Sequence, residues 1–241
     1  MTEITDETRL FVSRVSSLHR RTSQMTILRT KLVKGLTAIA VALVAALALS
    51  ACGSGMKGQS SADETEEASA HAPIQPAPND PHAFAWLRPG PAPRGWRASV
   101  LPNGAARMAY PSGWKPIRTD PGTVTSALRD GDGDIHGYLN ATPQQGDETL
   151  DDWARFRPDH NADEGDVELS PIAAATNLKF RSGRGSCLIE DYRTSSDHAY
   201  REIACIVAGQ RATTVIVGAA PPDQWHSQAP AIERAISSFL T

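Results

Sequence analysis

Cysteine is scarce in this chain. Three residues in 241 exclude a disulfide-dense miniprotein and a four-cysteine zinc site. Aromatic side chains make up only 6%, too few for a surface that stacks on bases. An excess of positive charge is missing as well: 24 Lys and Arg face 27 Asp and Glu, a formal −3, so the basic footprint of nucleic-acid binding is absent. No His-Glu-x-x-His, Gly-x-Ser-x-Gly or phosphate-loop pattern occurs after residue 51, so no local motif announces metal, acyl-transfer or nucleotide chemistry. What remains is length for one medium domain with extensions.

Charge is also absent between Lys34 and Lys57, where Gly35 to Leu49 is almost wholly apolar. At about 1.5 Å per helical residue this run spans roughly 22 Å, short of a bilayer core. Arg29, Lys31 and Lys34 precede it, with no acid between Met25 and Cys52. That is the basic n-region and apolar h-region of a secretory signal. Leu49-Ser50-Ala51-Cys52 closes the run and resembles a bacterial lipobox. The resemblance implies cleavage before Cys52 and a diacylglyceryl group on its thiol. Two acyl chains anchor stably, because each buried CH₂ contributes about 0.8 kcal/mol. The alternative is an uncleaved span with Cys52 as an incidental thiol. Residues 1–24 carry acids and bases unusual for a signal, and Met25 opens an ordinary n-region. Translation from Met25 and a true cytoplasmic extension from Met1 both stay open.

Removing residues 1–51 takes away seven basic and three acidic groups, leaving 17 and 24, a formal −7. This argues against a polyanionic partner for the chain as a whole. Met56 to about Pro81 is rich in Gly, Ser, Ala, Glu and Pro and cannot bury enough surface to offset the ordering of its backbone. The expected organisation is a signal with its extension over 1–51, a lipidated tether over 52–93, and a globular domain over 94–241. A tether of this length holds the domain about 30 Å from the membrane. Phe84 and Trp86 form a small apolar cluster within it, expected to pack back on the domain, with a docking peptide as the alternative.

From Gly95 the pattern shortens to strand-length runs. Trp96–Leu101 and Ala105–Tyr110 flank Asn103-Gly104, a strong hairpin signal. Val124–Arg129 and Ile135–Ala141 flank a turn holding Asp130, Asp132 and Asp134. The spacing of Leu150, Trp153, Ala154 and Arg157 predicts a helix from Glu148 to about Arg157. Four further strands are expected at Leu178–Arg181, Ser186–Arg193, Tyr200–Ala208 and Thr213–Ala219. Trp225, Ala229, Ile232, Ile236 and Phe239 then recur at helical spacing, the core face of a closing helix.

The two remaining cysteines have a geometric reading. If Ser195-Ser196-Asp197 turns a hairpin, opposed residues have numbers summing to about 392, which places Cys187 opposite Cys205. Opposed α-carbons lie close enough for a disulfide, and an extracytoplasmic compartment permits oxidation. Glu190, Asp191, Arg193, Arg201 and Glu202 fall on the same hairpin and are expected on its solvent face.

Tyr110-Pro111-Ser112-Gly113-Trp114, followed by hairpins, a helix carrying Trp153, a strand meander and a closing amphipathic helix, resembles a PsbP-like domain of the kind found in small actinobacterial lipoproteins of the LpqN type. The resemblance covers about residues 94–241 and implies an α/β/α sandwich around an antiparallel sheet, in a family of binding or assembly modules without a shared catalytic set. The residue pattern independently indicates an α+β fold with an antiparallel sheet packed by helices. Trp114 and Trp153 are expected in the core.

Asp130, Asp132 and Asp134 suggest calcium by their alternation, but Ile135 and Ala141 occupy the glycine and glutamate positions of an EF-hand loop. A solvated turn is the simpler expectation. His82, His136, His160, His198 and His226 fall at no ligand spacing, and Ser186 reads as a turn entering a strand. The sequence therefore points to a non-enzymatic, lipid-anchored module on the extracytoplasmic face of the cell membrane. It implies no cofactor, no metal and no nucleic acid; its expected partners are the membrane, through Cys52, and a protein or envelope component. A cell-envelope hydrolase with a dispersed triad and a metal or small-ligand carrier are the alternatives.

Overall fold

The computed structural model describes residues 74–241. The signal, the lipobox and most of the tether lie outside the described residues. A short 3-10 helix (Pro81–Phe84) leads to a hairpin of β1 (Arg97–Val100) and β2 (Arg107–Tyr110). The turn between them is built by Asn103, whose Oδ1 accepts from the Ala105 amide at 2.9 Å. Gly104 supplies the left-handed backbone (φ 72°) that a side chain disfavours.

Seven more strands form one antiparallel sheet: β3 (Lys115–Ile117), β4 (Val124–Arg129), β5 (Ile135–Pro143), β6 (Val167–Lys179), β7 (Gly183–Arg193), β8 (Ala199–Gly209) and β9 (Thr213–Ala220). Their spatial order is β3-β4-β5-β9-β8-β7-β6. The pairing of β7 with β8 runs unbroken from Gly183 opposite Gly209 to Arg193 opposite Ala199. Asp197, at φ 68°, and the Thr194 carbonyl, which accepts from the Asp197 amide at 2.9 Å, close that hairpin.

Two helices, α1 (Trp153–Asp163) and α2 (Trp225–Ser237), cover opposite faces of the sheet and generate two cores. On the α2 face Ile232, Ile236 and Phe239 are fully buried with Leu139, Ile203 and Ile216. Each such side chain contributes about 1.5–3 kcal/mol. On the α1 face Trp153 packs with Leu188, Ala204 and Ile206, and its indole N–H donates to the Ala204 carbonyl at 2.9 Å. Trp114 and Trp153 are both core residues. The architecture is an α+β fold with an antiparallel sheet between helices.

Several elements differ from expectation. The helix starts at Trp153 rather than Glu148 because the acids before it serve the turn. Glu148 accepts from the Gln145 and Gly146 amides, both at 2.8 Å, and Asp152 accepts from Thr149. It also continues past Pro158 to Asp163. Strand β6 is far longer than Leu178–Arg181: register shifts, Pro171, and positive φ at Glu168 and Asn177 break its alternation, so no period-two signal survives. Residues 74–93, grouped with the tether on composition, lie against the domain. Asp80 donates its amide to the Ala174 carbonyl at 2.8 Å, Phe84 is buried, and Trp86 packs beside it.

Candidate functional site

The chemistry-bearing side chains converge on the α1 face. Register places Glu190 of β7 directly opposite Glu202 of β8, and neither side chain reaches solvent. This corrects the expectation that Glu190 and Glu202 lie on a solvent face: helix α1 crosses that face and roofs both. Arg157, one turn beyond Trp153, clamps Glu202 through two parallel hydrogen bonds, Nε to Oε1 at 2.8 Å and Nη2 to Oε2 at 2.9 Å. Asn161, one further turn along, donates to Glu190 Oε1 at 2.8 Å. Glu190 Oε2 has no ordinary donor. The other three charged residues of the hairpin are partly exposed, with Asp191 and Arg201 paired at 2.7 and 2.8 Å and Arg193 bonded to Glu168 and Asp197.

Two carboxylates in one dry site cannot both ionise beside a single guanidinium. Burial, reinforced by the charge of Glu202, pushes the Glu190 carboxyl up to about 9. Glu190 therefore keeps its proton at neutral pH. Burial opposes the charge on Arg157, but the attraction of Glu202 outweighs it and holds the guanidinium protonated. Tyr138 and Tyr192 share a hydroxyl hydrogen bond of 3.0 Å on the same face, and burial pushes both phenols up so that they stay neutral.

A cleft of about 100 Å³ opens beside this cluster, lined among others by Tyr138, Arg157, His160, Asn161 and Tyr192. It has room for only a few waters and falls well below the roughly 300–1,000 Å³ of small-molecule sites. Neither Glu190 nor Glu202 lines this cleft; Arg157 and Asn161 stand between it and the two carboxyl groups.

Cys187 and Cys205 are opposed in register and form a disulfide, Cα to Cα 4.1 Å, buried under α2. Cys52 lies outside the described residues. Asp130 turns its carboxylate back on its own loop, accepting from the amides of Asp132, Gly133 and Asp134 at 2.9–3.0 Å and contacting His136 Nε2 at 3.0 Å. The His136 bond is the main cause of its lowered pKa. Among the described residues no three His, Cys, Asp or Glu side chains converge as metal ligands. Ser186 lies inside β7 with its hydroxyl buried and unbonded, away from any turn. The Glu190–Glu202 pair was detectable in the sequence: the register rule that pairs the cysteines also opposes these two like charges, an arrangement unfavourable in water.

No family profile matches the sequence, and no curated protein matches it. Among solved structures, cyanobacterial PsbP (CyanoP) from Synechocystis sp. PCC 6803 is similar over 63% of this chain and 95% of its own, at 18% identity and TM-score 0.44. A Bacteroides thetaiotaomicron protein is similar over 61% and 48%, at 15% and 0.40. LpqN of Mycobacterium tuberculosis, described as involved in cell envelope biogenesis, is similar over 62% and 79%, at 15% and 0.33. The class of protein defined here rests on the chain's own geometry: an α+β domain whose antiparallel sheet lies between two helices, with one disulfide in one core and one buried charge cluster in the other.

Proposed function

We propose that this chain is a lipid-anchored extracytoplasmic protein whose domain is a PsbP-like binding or assembly module without catalytic activity. The observation that carries the reading is the buried Cys187–Cys205 disulfide between the neighbouring strands β7 and β8. Such a bond persists in oxidising compartments and is rare in the reducing cytosol, which agrees with a lipobox-like Leu49-Ser50-Ala51-Cys52. The non-catalytic part rests on how the reactive side chains are used. Arg157 is bonded to Glu202 and Asn161 to Glu190 between α1 and the sheet, and Asp130 caps its own turn. The Tyr110-Pro111-Ser112-Gly113-Trp114 step fits a PsbP-like arrangement by ending β2 and delivering Trp114 into the α2-side core.

Expression of the full chain and of Cys52→Ser, followed by membrane fractionation and detergent phase partitioning, tests the anchor. The parent should partition with membranes and detergent at the cleaved size. The variant should be soluble or accumulate as uncleaved precursor. Equal membrane retention of both at the mature size would remove the anchor from the account.

A further inference from the structure

At the end of the molecule where the β1–β2 hairpin meets residues 238–241, two hollows of about 270 and 680 Å³ share Arg107, Arg181 and Leu240 in their linings. The two hollows adjoin across these residues and are treated together as one groove. Arg97 stands over the smaller hollow and Arg211 over the larger, so four arginines line the whole. All four are solvent-exposed, and no Asp or Glu side chain lines either hollow. Among the described residues no ion pair engages any of them. Among the described residues their side chains make one hydrogen bond, Arg181 Nη1 to the Ser238 carbonyl, at a long 3.5 Å.

Four uncompensated guanidinium groups repel one another, and a carboxylate at Thr241 would leave three of the four charges unmatched. The contrast with the remainder of the chain is sharp, since residues 52–241 carry a formal −7. Local field, not net charge, decides what a concave surface attracts. The groove is also greasy: Trp96 and Leu240 line it, and Val100 stands 54% exposed at its rim beside Arg107. Guanidinium forks match phosphate geometry through paired N–H donors, while the apolar strip suits the part of a ligand that is not charged.

We propose that this groove seats the phosphate headgroup of an anionic phospholipid, with Arg107 and Arg181 as the central pair and Val100 and Trp96 against the glycerol and upper acyl region. The choice of a membrane source rests on the lipid anchor proposed above. Only residues 53–73 separate Cys52 from the described domain, and 21 residues reach at most about 75 Å, so bilayer headgroups are the phosphates that the anchor keeps within reach.

The test uses the mature chain carrying Cys52→Ser, so that no acyl group contributes to binding. It is presented with vesicles of phosphatidylglycerol and phosphatidylcholine in equal parts, with vesicles of phosphatidylcholine alone, and with soluble glycerol phosphate. Binding to the anionic vesicles alone, weakening steeply with salt, supports the proposal. Arg107→Gln with Arg181→Gln should weaken it at least tenfold and Val100→Asp severalfold, whereas Arg155→Gln, on the outer face of α1, should leave it unchanged. Circular dichroism and thermal melting confirm that each variant is folded. Equal affinity for both vesicle types, binding to glycerol phosphate as tight as to vesicles, or an arginine pair without effect would each overturn it. Because the assay is independent of acylation, an unacylated native protein would refute the anchor without altering this result.

Discussion

Glu190 and Glu202 face each other across β7 and β8 with no solvent-exposed surface on either, and one arginine, Arg157, serves the pair from the helix above. Like charges so placed are tolerable only while one of them holds a proton. The α1-side core is therefore a protonated assembly at neutral pH.

The pH dependence of stability follows from that proton. The Glu190 carboxyl moves from 4.5 to about 9 on folding, so the folded state binds more protons than the unfolded state between those values. Unfolding free energy from this group is greatest below about pH 4.5, declines as pH rises, and levels off above about pH 9. The decline belongs to Glu190, whose proton is held by burial and by the neighbouring charge of Glu202. Urea denaturation across this range should show it in the parent. Glu190→Gln, which keeps the shape and the hydrogen-bond donor, should flatten it; an unchanged slope in the variant would contradict the assignment.

Removing Arg157 should be far more damaging than removing the proton. Arg157→Met leaves Glu202 buried without its cation, and breaking a buried pair in this way costs about 3–5 kcal/mol. Arg157→Met combined with Glu202→Met should recover most of that loss, since well-packed apolar replacements are often neutral. Chemical denaturation of both variants measures the difference.

The disulfide should contribute about 3 kcal/mol by constraining the unfolded chain across its 18-residue separation. The Cys187→Ala, Cys205→Ala double variant should be less stable than the parent by that amount in urea denaturation. Reductant should destabilise the parent and leave the double variant unaffected.

Packing between the sheet and α2 is tight at Gly218, where an added methyl group would collide with Cγ2 of Ile232. Gly218→Ala should cost about 1–3 kcal/mol by overpacking. Ile236→Asp places a charge at a fully buried site and should abolish folding. Near-UV circular dichroism and thermal melting distinguish the two degrees of damage.

How much of this was readable in advance depends on how locally each feature is encoded. Val124–Arg129 is bounded as its residues suggest, because turn residues flank a simple alternation. The Cys187–Cys205 pairing followed from a symmetric hairpin around Ser196. Strand β6 was hidden because its register shifts and positive-φ residues erase periodicity. Alternation along β7 and β8 separates two faces but cannot say which a helix will cover. The alternation therefore puts Glu190 and Glu202 in water, although α1 lies over them. The arginine groove was invisible for a different reason: Arg97, Arg107, Arg181 and Arg211 are far apart in sequence and meet only through the fold.

The most direct test of the central claim is the intact mass of the protein isolated from its native cells under non-reducing, denaturing conditions. A chain beginning at Cys52, carrying a diacylglyceryl group and lighter by two hydrogens than after reduction, is the expected result. A cytosolic, unacylated chain still holding residues 25–51, with Cys187 and Cys205 as free thiols, would contradict it.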